Sequence, residues 1–138
     1  MCKIGDIIGV KKYVGQDGKE IGFHYFIVVS DEGGKICGFN FSIVGTVMSS
    51  FKNEEQKRKK SKLKANIPIE ETEFNLGTNK KKSGFIKADQ LFYFDKSKTS
   101  YFVVGQVDGD VLLSLLERIG MLDESGKLTI NINNLIQS

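Results

Sequence analysis

The chain has 138 residues, of which 40% are hydrophobic and 27% are charged, with a net charge of +3. This length and balance are typical of one globular domain with its own core, and no apolar run is long enough to cross a membrane. We therefore predict a single domain over residues 1–138, and the absence of a signal-peptide core at the N-terminus indicates the cytoplasm. Because Cys2, Cys37 and the single histidine match no ligand spacing, we expect no disulfide, metal ion or other cofactor.

Strand-forming patterns occupy the first fifty residues. The strand-like runs are Lys3–Tyr13, Gly22–Ser30, Lys35–Ser42 and Ile43–Ser50, and glycine-containing turns separate the first three. Two glycines in the first run indicate a bend or a close backbone approach, and Val14–Gly22 reads as a turn-rich loop. The second run is too apolar for a strand with one face in solvent, so we predict that it lies in the centre of the sheet. A hairpin turn is expected at Asp31–Gly34, and the last two runs are two strands or one long strand bent near Asn40.

The middle of the chain concentrates positive charge. Residues 52–64 and 80–82 carry ten Lys and Arg against two Glu, whereas the rest carries ten basic and fifteen acidic residues. Such an excess is typical of a polyanion-binding surface, although a solvated lysine loop has the same composition. An Asn cap followed by acids and then bases predicts a short basic helix at about 54–63. Ile67–Ile69, which contains the only proline, reads as an edge strand, and Glu70–Lys82 as a loop.

The C-terminal half combines strands with a helix. The predicted strands are Gly84–Ile86, Gln90–Phe94, Tyr101–Val107 and, at the end, Lys127–Ile132. A helix begins at Asp108 or Asp110 and runs to about Ile119, with Gly120 as its stop. Its apolar stripe consists of Leu112, Leu115, Leu116 and Ile119. The predicted fold is therefore α+β and mainly β: a strongly curved antiparallel sheet with a short basic helix and a C-terminal helix.

Three short motifs of the C-terminal half resemble, in their order and spacing, those of a known protein family. Ala-Asp-Gln-Leu at 88–91, Asp-Lys-Ser at 95–97 and Val-Val-Gly at 103–105 follow one another with the order and spacing seen in the C-terminal half of the MazF/PemK family of toxin endoribonucleases. The Gly-Asp-Ile at 5–7 also resembles that family's opening strand. The resemblance implies an SH3-like small barrel, a two-fold homodimer, and metal-independent cleavage of single-stranded RNA by an mRNA interferase. The implied products carry a 2′,3′-cyclic phosphate and a 5′-hydroxyl.

Two stretches resemble catalytic positions of that family. His24 stands where many members have the arginine of Gly-x-Arg-Pro, and Tyr25 replaces the proline. Ser49-Ser50-Phe51-Lys52 resembles the Thr-Ser-x-Lys of the related ToxN branch. A histidine can move protons near neutral pH but lacks the permanent bidentate charge of arginine. The candidate catalytic residues are His24, Ser49, Ser50 and Lys52. The candidate RNA-binding residues are Tyr25, Lys57, Arg58, Lys59, Lys60, Lys80, Lys81 and Lys82.

Other functions fit the same sequence. Loss of the family arginine favours a non-catalytic SH3-like module that binds RNA or a protein, in which His24 merely caps a strand edge and the serines are solvated. The Ser-Ser-x-Lys match favours a ToxN-type phage-defence toxin that an RNA neutralises. The modest length of the chain favours a cognate protein antitoxin instead.

Overall fold

The computed structural model describes residues 3–15, 17–50, 66–69, 74–75 and 84–136. Within these ranges the chain is mainly β, as predicted, and has two helices, of which only the longer one corresponds to a predicted helix. The strands are β1 (Asp6–Val10), β2 (Tyr13–Val14), β3 (Glu20–Ile21), β4 (His24–Ser30), β5 (Gly34–Ile36), β6 (Phe39–Phe41), β7 (Ile43–Ser50), β8 (Asn66–Ile69), β9 (Phe74–Asn75), β10 (Gly84–Lys87), β11 (Gln90–Phe94), β12 (Tyr101–Val107) and β13 (Thr129–Asn131). The helices are α1 (Gly109–Glu124) and α2 (Asn133–Ile136). Neither described helix is long and apolar enough to span a membrane.

One sheet of nine strands organises the described chain. Its main order is β13-β11-β7-β4-β1-β12-β9, while β10 pairs with the second half of β7 and carries β8 on its other side. As predicted, β4 is central, between β1 and β7, and β8 is an edge strand. The sheet is mixed and not wholly antiparallel, because β13 runs parallel to β11. The chain between these two strands passes through β12 and α1, a connection long enough for a parallel crossover. Among the described strands no pairing joins β13 to β9, so they form no closed barrel.

Strand alternation divides the core between the two faces of this sheet. One cluster, the first core cluster, contains Ile8, Val10, Tyr13, Phe26, Val28, Ile43, Val47, Phe92 and Phe94. The second core cluster lies on the other face beneath α1 and contains Ile7, Ile27, Met48, Ile86, Ala88, Val111, Leu115 and Leu122. Adjacent residues of one strand therefore serve different clusters, as Phe26 and Ile27 do.

The predicted strand over Lys35–Ser42 is wrong, because the chain turns back in its middle. Cys37 has φ 51° and Gly38 has φ 84°, so both lie in the left-handed region that a tight two-residue hairpin requires. This turn joins β5 to β6. The predicted hairpin turn at Asp31–Gly34 instead links β4 to β5, which do not pair with each other.

Helix α1 continues past its predicted stop at Gly120 and ends at Glu124. The signal that ends it is Gly126, whose φ of +68° is left-handed. There Gly126 N–H donates to Asp123 O (3.1 Å) and Lys127 N–H to Leu122 O (2.8 Å), the paired bonds of a Schellman motif. The predicted stripe is also shifted: Val111, Leu115 and Leu122 are buried, while Leu116 is exposed.

Several other boundaries differ from prediction. The run Lys3–Tyr13 forms two strands, β1 and the start of β2, with Gly5 at φ +91° before the first. The predicted loop Glu70–Lys82 contains the short strand β9, which pairs with β12. The last strand is confirmed but shorter than Lys127–Ile132. The predicted basic helix at about 54–63 lies outside the described residues.

Candidate nucleic-acid interface

The candidate residues that the structure describes lie where several strands end together. We call this edge the strand-end rim, and it is defined by Val10 at the end of β1, His24 at the start of β4, Ser49 and Ser50 at the end of β7, and Gly84 at the start of β10. His24 pairs with Val10, and Ser50 pairs with Gly84. The sequence adjoining the rim is basic, since Lys52 follows Ser50 by two residues and Lys82 precedes Gly84 by two. Both basic runs are therefore joined covalently to this edge.

The ring of His24 is oriented by one backbone contact. Its Nδ1 lies 3.2 Å from Gly22 O, and since a carbonyl oxygen only accepts, the hydrogen bond requires a proton on Nδ1. In the neutral imidazole Nε2 is then unprotonated and able to accept a proton. The ring also meets Tyr13 edge to face, with centroids 5.6 Å apart. Burial raises the pKa of Tyr13, so its hydroxyl stays protonated and places no negative charge beside the imidazole.

Ser49 shares a sheet face with His24. Phe26 of β4 and Val47 of β7 are directly paired, and both belong to the first core cluster. His24 and Ser49 lie two residues further along their strands, in the direction of the rim, so alternation returns both to that face. Ser49 is half-buried and its backbone pairs with Phe85. The structure thus brings a proton acceptor and a hydroxyl to neighbouring positions.

The other predicted residues divide into two groups. Tyr25 lies on the opposite face from His24, because it packs against the second core cluster and pairs with Met48. Ser50 belongs to β7 through its backbone pairing. The remaining candidates lie outside the described residues: Lys52, Lys57, Arg58, Lys59, Lys60, Lys80, Lys81 and Lys82.

Three aromatic side chains form a solvent-open group on the face that carries Tyr25. We call Phe23, Tyr25 and Phe102 the aromatic platform. The centroids of Phe23 and Tyr25 are 5.0 Å apart, and those of Phe23 and Phe102 are 5.9 Å apart with ring planes inclined by only 21°. Phe23 is 44% exposed and Phe102 is 43% exposed. Sequence reasoning named only Tyr25 of the three.

Gly9 makes the platform possible. It pairs with Tyr25 on one side and with Phe102 on the other, so it lies between them in the sheet. A Cβ at Gly9 would lie 2.8 Å from the Phe23 ring and 2.9 Å from the Phe102 ring, distances at which something must shift. The two glycines of the first run predicted a bend or a close approach to the backbone, and at Gly9 the Phe23 and Phe102 rings approach closely.

Other possible sites are less suited to a large ligand. The described residues contain no group of three or more His, Cys, Asp or Glu that could hold a metal ion. A pocket of about 130 Å³ is small beside ligand pockets of roughly 300–1,000 Å³. Its lining residues are Lys12, Tyr13, Val14, Glu20, Lys98, Thr99 and Asn134. An extended polymer needs a larger contact surface than this pocket offers.

The motif Asp-Lys-Ser at 95–97 forms a structural turn. Asp95 Oδ1 accepts hydrogen bonds from Ser97 N–H (3.0 Å) and Ser97 Oγ–H (2.8 Å). The hydrogen bond from the Ser97 hydroxyl, and to a smaller extent that from the Ser97 N–H, lowers the pKa of Asp95. This motif therefore fixes the chain between β11 and β12 and supplies no group to the rim.

No protein-family profile matches the chain, and no curated protein is significantly similar to it. The resemblance of the C-terminal half to a toxin family consequently rests on its motif residues alone.

Proposed function

We propose that this chain is a metal-independent endoribonuclease that cleaves single-stranded RNA at a short sequence, as the mRNA interferase toxin of a toxin–antitoxin pair. The observation that carries the proposal is the rim geometry: the Gly22 contact leaves His24 Nε2 free to accept a proton, and Ser49 shares its face. The basic runs that adjoin the rim in sequence support a polyanionic substrate.

The proposed reaction is an internal transesterification of RNA. His24 Nε2 removes the 2′-hydroxyl proton, the 2′-oxygen bonds to phosphorus, and the bond from phosphorus to the 5′-oxygen breaks. The leaving oxygen takes a proton, which the imidazolium returns, so the products are a 2′,3′-cyclic phosphate and a 5′-hydroxyl. Ser49 and Ser50 donate hydrogen bonds to the non-bridging oxygens, and Lys52 neutralises the charge that develops there.

The same proposal includes the finer architecture and the partners. Register shifts leave one extra residue in β12, Val104, and one in β4, Val29, and such bulges bend a strand, which supports a strongly curved sheet of the SH3-like kind. We further propose a cytoplasmic homodimer whose toxicity a cognate antitoxin neutralises. We propose a protein antitoxin, with an RNA antitoxin as the alternative.

Incubation of the purified protein with mixed RNA, followed by mapping of 5′-hydroxyl ends, tests the activity. We expect cuts at one short sequence, undiminished by EDTA. His24→Gln keeps hydrogen-bonding capacity without proton transfer at neutral pH, so kcat should fall about 10²-fold or more. Ser49→Ala should lose about 10²-fold as well, while Ser114→Ala on the exposed side of α1 should leave cleavage unchanged. Full activity of His24→Gln, or dependence on added divalent ion, would refute this mechanism.

A non-catalytic module that binds RNA or protein is the second candidate. The replacement of the family arginine by His24 favours it, because no permanent bidentate cation stands at that position. Binding of single-stranded RNA without any new 5′-hydroxyl ends would decide for this function.

A further inference from the structure

The aromatic platform takes no part in the cleavage chemistry proposed above, yet it is apolar and open to solvent. We propose that Phe23, Tyr25 and Phe102 form a stacking site for unpaired nucleobases of single-stranded RNA, on the sheet face opposite to His24 and Ser49. This inference rests on the proposed RNA substrate and identifies the part of the protein that holds its bases.

The ring geometry suits stacking. Phe23 and Phe102 are inclined by only 21°, so they present nearly parallel faces, and Tyr25 meets Phe23 edge to face at 83°. The contact with Tyr25 fixes the orientation of Phe23, and the exposed part of the Phe23 ring remains for a base to contact. A planar base can stack on such a surface whatever its sequence, because every base has a π face.

The platform has a fixed position in the fold. Tyr25, Gly9 and Phe102 are consecutive across three paired strands, and the two phenyl rings meet above Gly9. Tyr25 is anchored by its packing against the second core cluster. The rings are therefore held by the sheet, so little ordering is needed when a base binds.

The exposed area favours a nucleobase over a second copy of the chain. Two phenylalanines that are 44% and 43% exposed offer roughly 200 Å² of side-chain surface. A stable protein interface buries about 800 Å² on each partner, several times this area. One or two bases match the platform in size, and the basic runs of the sequence complement the phosphates that come with them.

The platform and the proposed catalytic pair lie on opposite faces of β4, so RNA must pass around the strand-end rim to reach both. Loss of the platform should therefore weaken RNA binding and raise KM, whereas loss of His24 should lower kcat. This division separates a base-holding site from a residue that acts on the phosphate.

Affinity for an uncleavable ligand tests the inference. A fluorescein-labelled 2′-O-methyl uridine 12-mer lacks the nucleophilic hydroxyl, so anisotropy reports binding alone. Phe23→Leu, Phe102→Leu and the double variant keep apolar bulk but remove the π faces. We expect the double variant to bind about tenfold or more weakly. The matched control is Phe39→Leu, which changes a 36% exposed ring on the separate β5–β6 hairpin and should stay within about twofold of wild type.

A second ligand distinguishes stacking from general adhesion. Dihydrouridine keeps the hydrogen-bonding groups of uridine but is neither aromatic nor flat, so the wild type should prefer the uridine 12-mer and the double variant should not. Unchanged affinity in the double variant, with cleavage intact, overturns this inference alone. A wild-type dimer that the double variant converts to monomer in light scattering makes the platform a protein interface and also overturns it. Stacking-dependent binding without cleavage of mixed RNA upholds the platform and refutes the proposed catalysis. No binding of the uridine 12-mer by wild type overturns the platform, and the mapping of 5′-hydroxyl ends then decides the proposed catalysis separately.

Discussion

Thr46 is a polar residue in the most buried part of the sheet. Its side chain is fully buried in β7 opposite Ile27, and its Oγ1 has no hydrogen-bond partner among the described residues. A buried hydroxyl without a partner loses its hydration and gains nothing in exchange. We expect Thr46→Val, which preserves shape, to leave the free energy of unfolding unchanged or to raise it by about 1–2 kcal/mol. Urea unfolding monitored by tyrosine fluorescence measures this.

The matched control for Thr46 is Thr99. Its Oγ1 donates to Asp95 O over 2.8 Å, so the same chemical change removes a formed hydrogen bond. Thr99→Val should therefore lower the free energy of unfolding by about 1 kcal/mol. A loss of stability in Thr46→Val as large as that in Thr99→Val would mean that the buried hydroxyl has a partner in solution.

Asp95 links stability to pH through its turn. Because Ser97 donates two hydrogen bonds to the carboxylate, the folded-state pKa of Asp95 lies below its unfolded value. The resulting stabilisation is present above the unfolded pKa and is lost as pH falls through the folded pKa. Ser97→Ala removes the hydroxyl bond and should raise the pKa of Asp95, as measured by NMR titration of its carboxyl carbon. Ser100→Ala, three residues further on, should leave that titration unchanged.

At the scale of elements, features that depend on the local sequence were predicted better than features that depend on contacts between distant residues. The apolar composition of residues 22–30 predicted the central position of β4, and period-two alternation places His24 and Tyr25 on different faces. Gly120 was a wrong helix stop because nothing in the local pattern distinguishes it from Gly126, where the Schellman bonds form. The platform could not be predicted, since Phe102 meets Phe23 only after β12 pairs with β1.

The short C-terminal helix α2 contacts the β2–β3 hairpin through two asparagines, of which Asn134 makes the paired contact. Val14 N–H donates to Asn134 Oδ1 (2.7 Å), and Asn134 Nδ2 donates to Val14 O (3.0 Å), so the amide acts as a strand partner. Asn134→Ala should lower the free energy of unfolding by about 1–3 kcal/mol, because both backbone groups lose their partner. Native-state hydrogen exchange should show faster exchange of the Val14 amide.

Asn133 provides the comparison for this link. It donates a single bond, from Nδ2 to Gly15 O over 2.9 Å, so Asn133→Ala should cost only about 1 kcal/mol and leave the Val14 amide protected. Equal exchange rates at Val14 in both variants would show that Asn134 is not what holds the hairpin. Since β2 carries Tyr13, which touches His24, this link also connects the C-terminal segment to the rim.

At the scale of the whole molecule, the packed core and the candidate site lie in different parts of the sheet. Helix α1 packs on the second core cluster, and the rim and platform lie at the strand ends where β4 and β12 begin. The sequence indicated the polar candidates His24 and Ser49 at these ends through a resemblance. It did not indicate that Tyr25 would join two distant phenylalanines, because a platform arises only from the pairing of three strands.

The basic residues are concentrated in one part of the sequence. The run Lys57–Lys64 contains six basic residues in eight, with no apolar stripe that would pack on a core. If the run follows the RNA backbone, each lost phosphate contact should lower the slope of log affinity against log salt by about 0.7. Replacing Lys57, Arg58, Lys59 and Lys60 by Gln should thus weaken binding to all RNAs alike and preserve the cut sequence, since phosphate contacts carry no base information.

The control for this last prediction must match the change in net charge. Replacing four exposed lysines elsewhere by Gln removes the same number of charges. These lysines are Lys19, Lys35, Lys98 and Lys127. We expect the slope of log affinity against log salt to fall fully in the basic-run variant and not in the control variant. Only direct contacts with phosphates release counterions from the RNA. Equal slopes in the two variants would reduce the run to a contribution to overall charge. A changed cut sequence in the basic-run variant would instead make the run a reader of bases, which would contradict its assignment to phosphate contacts.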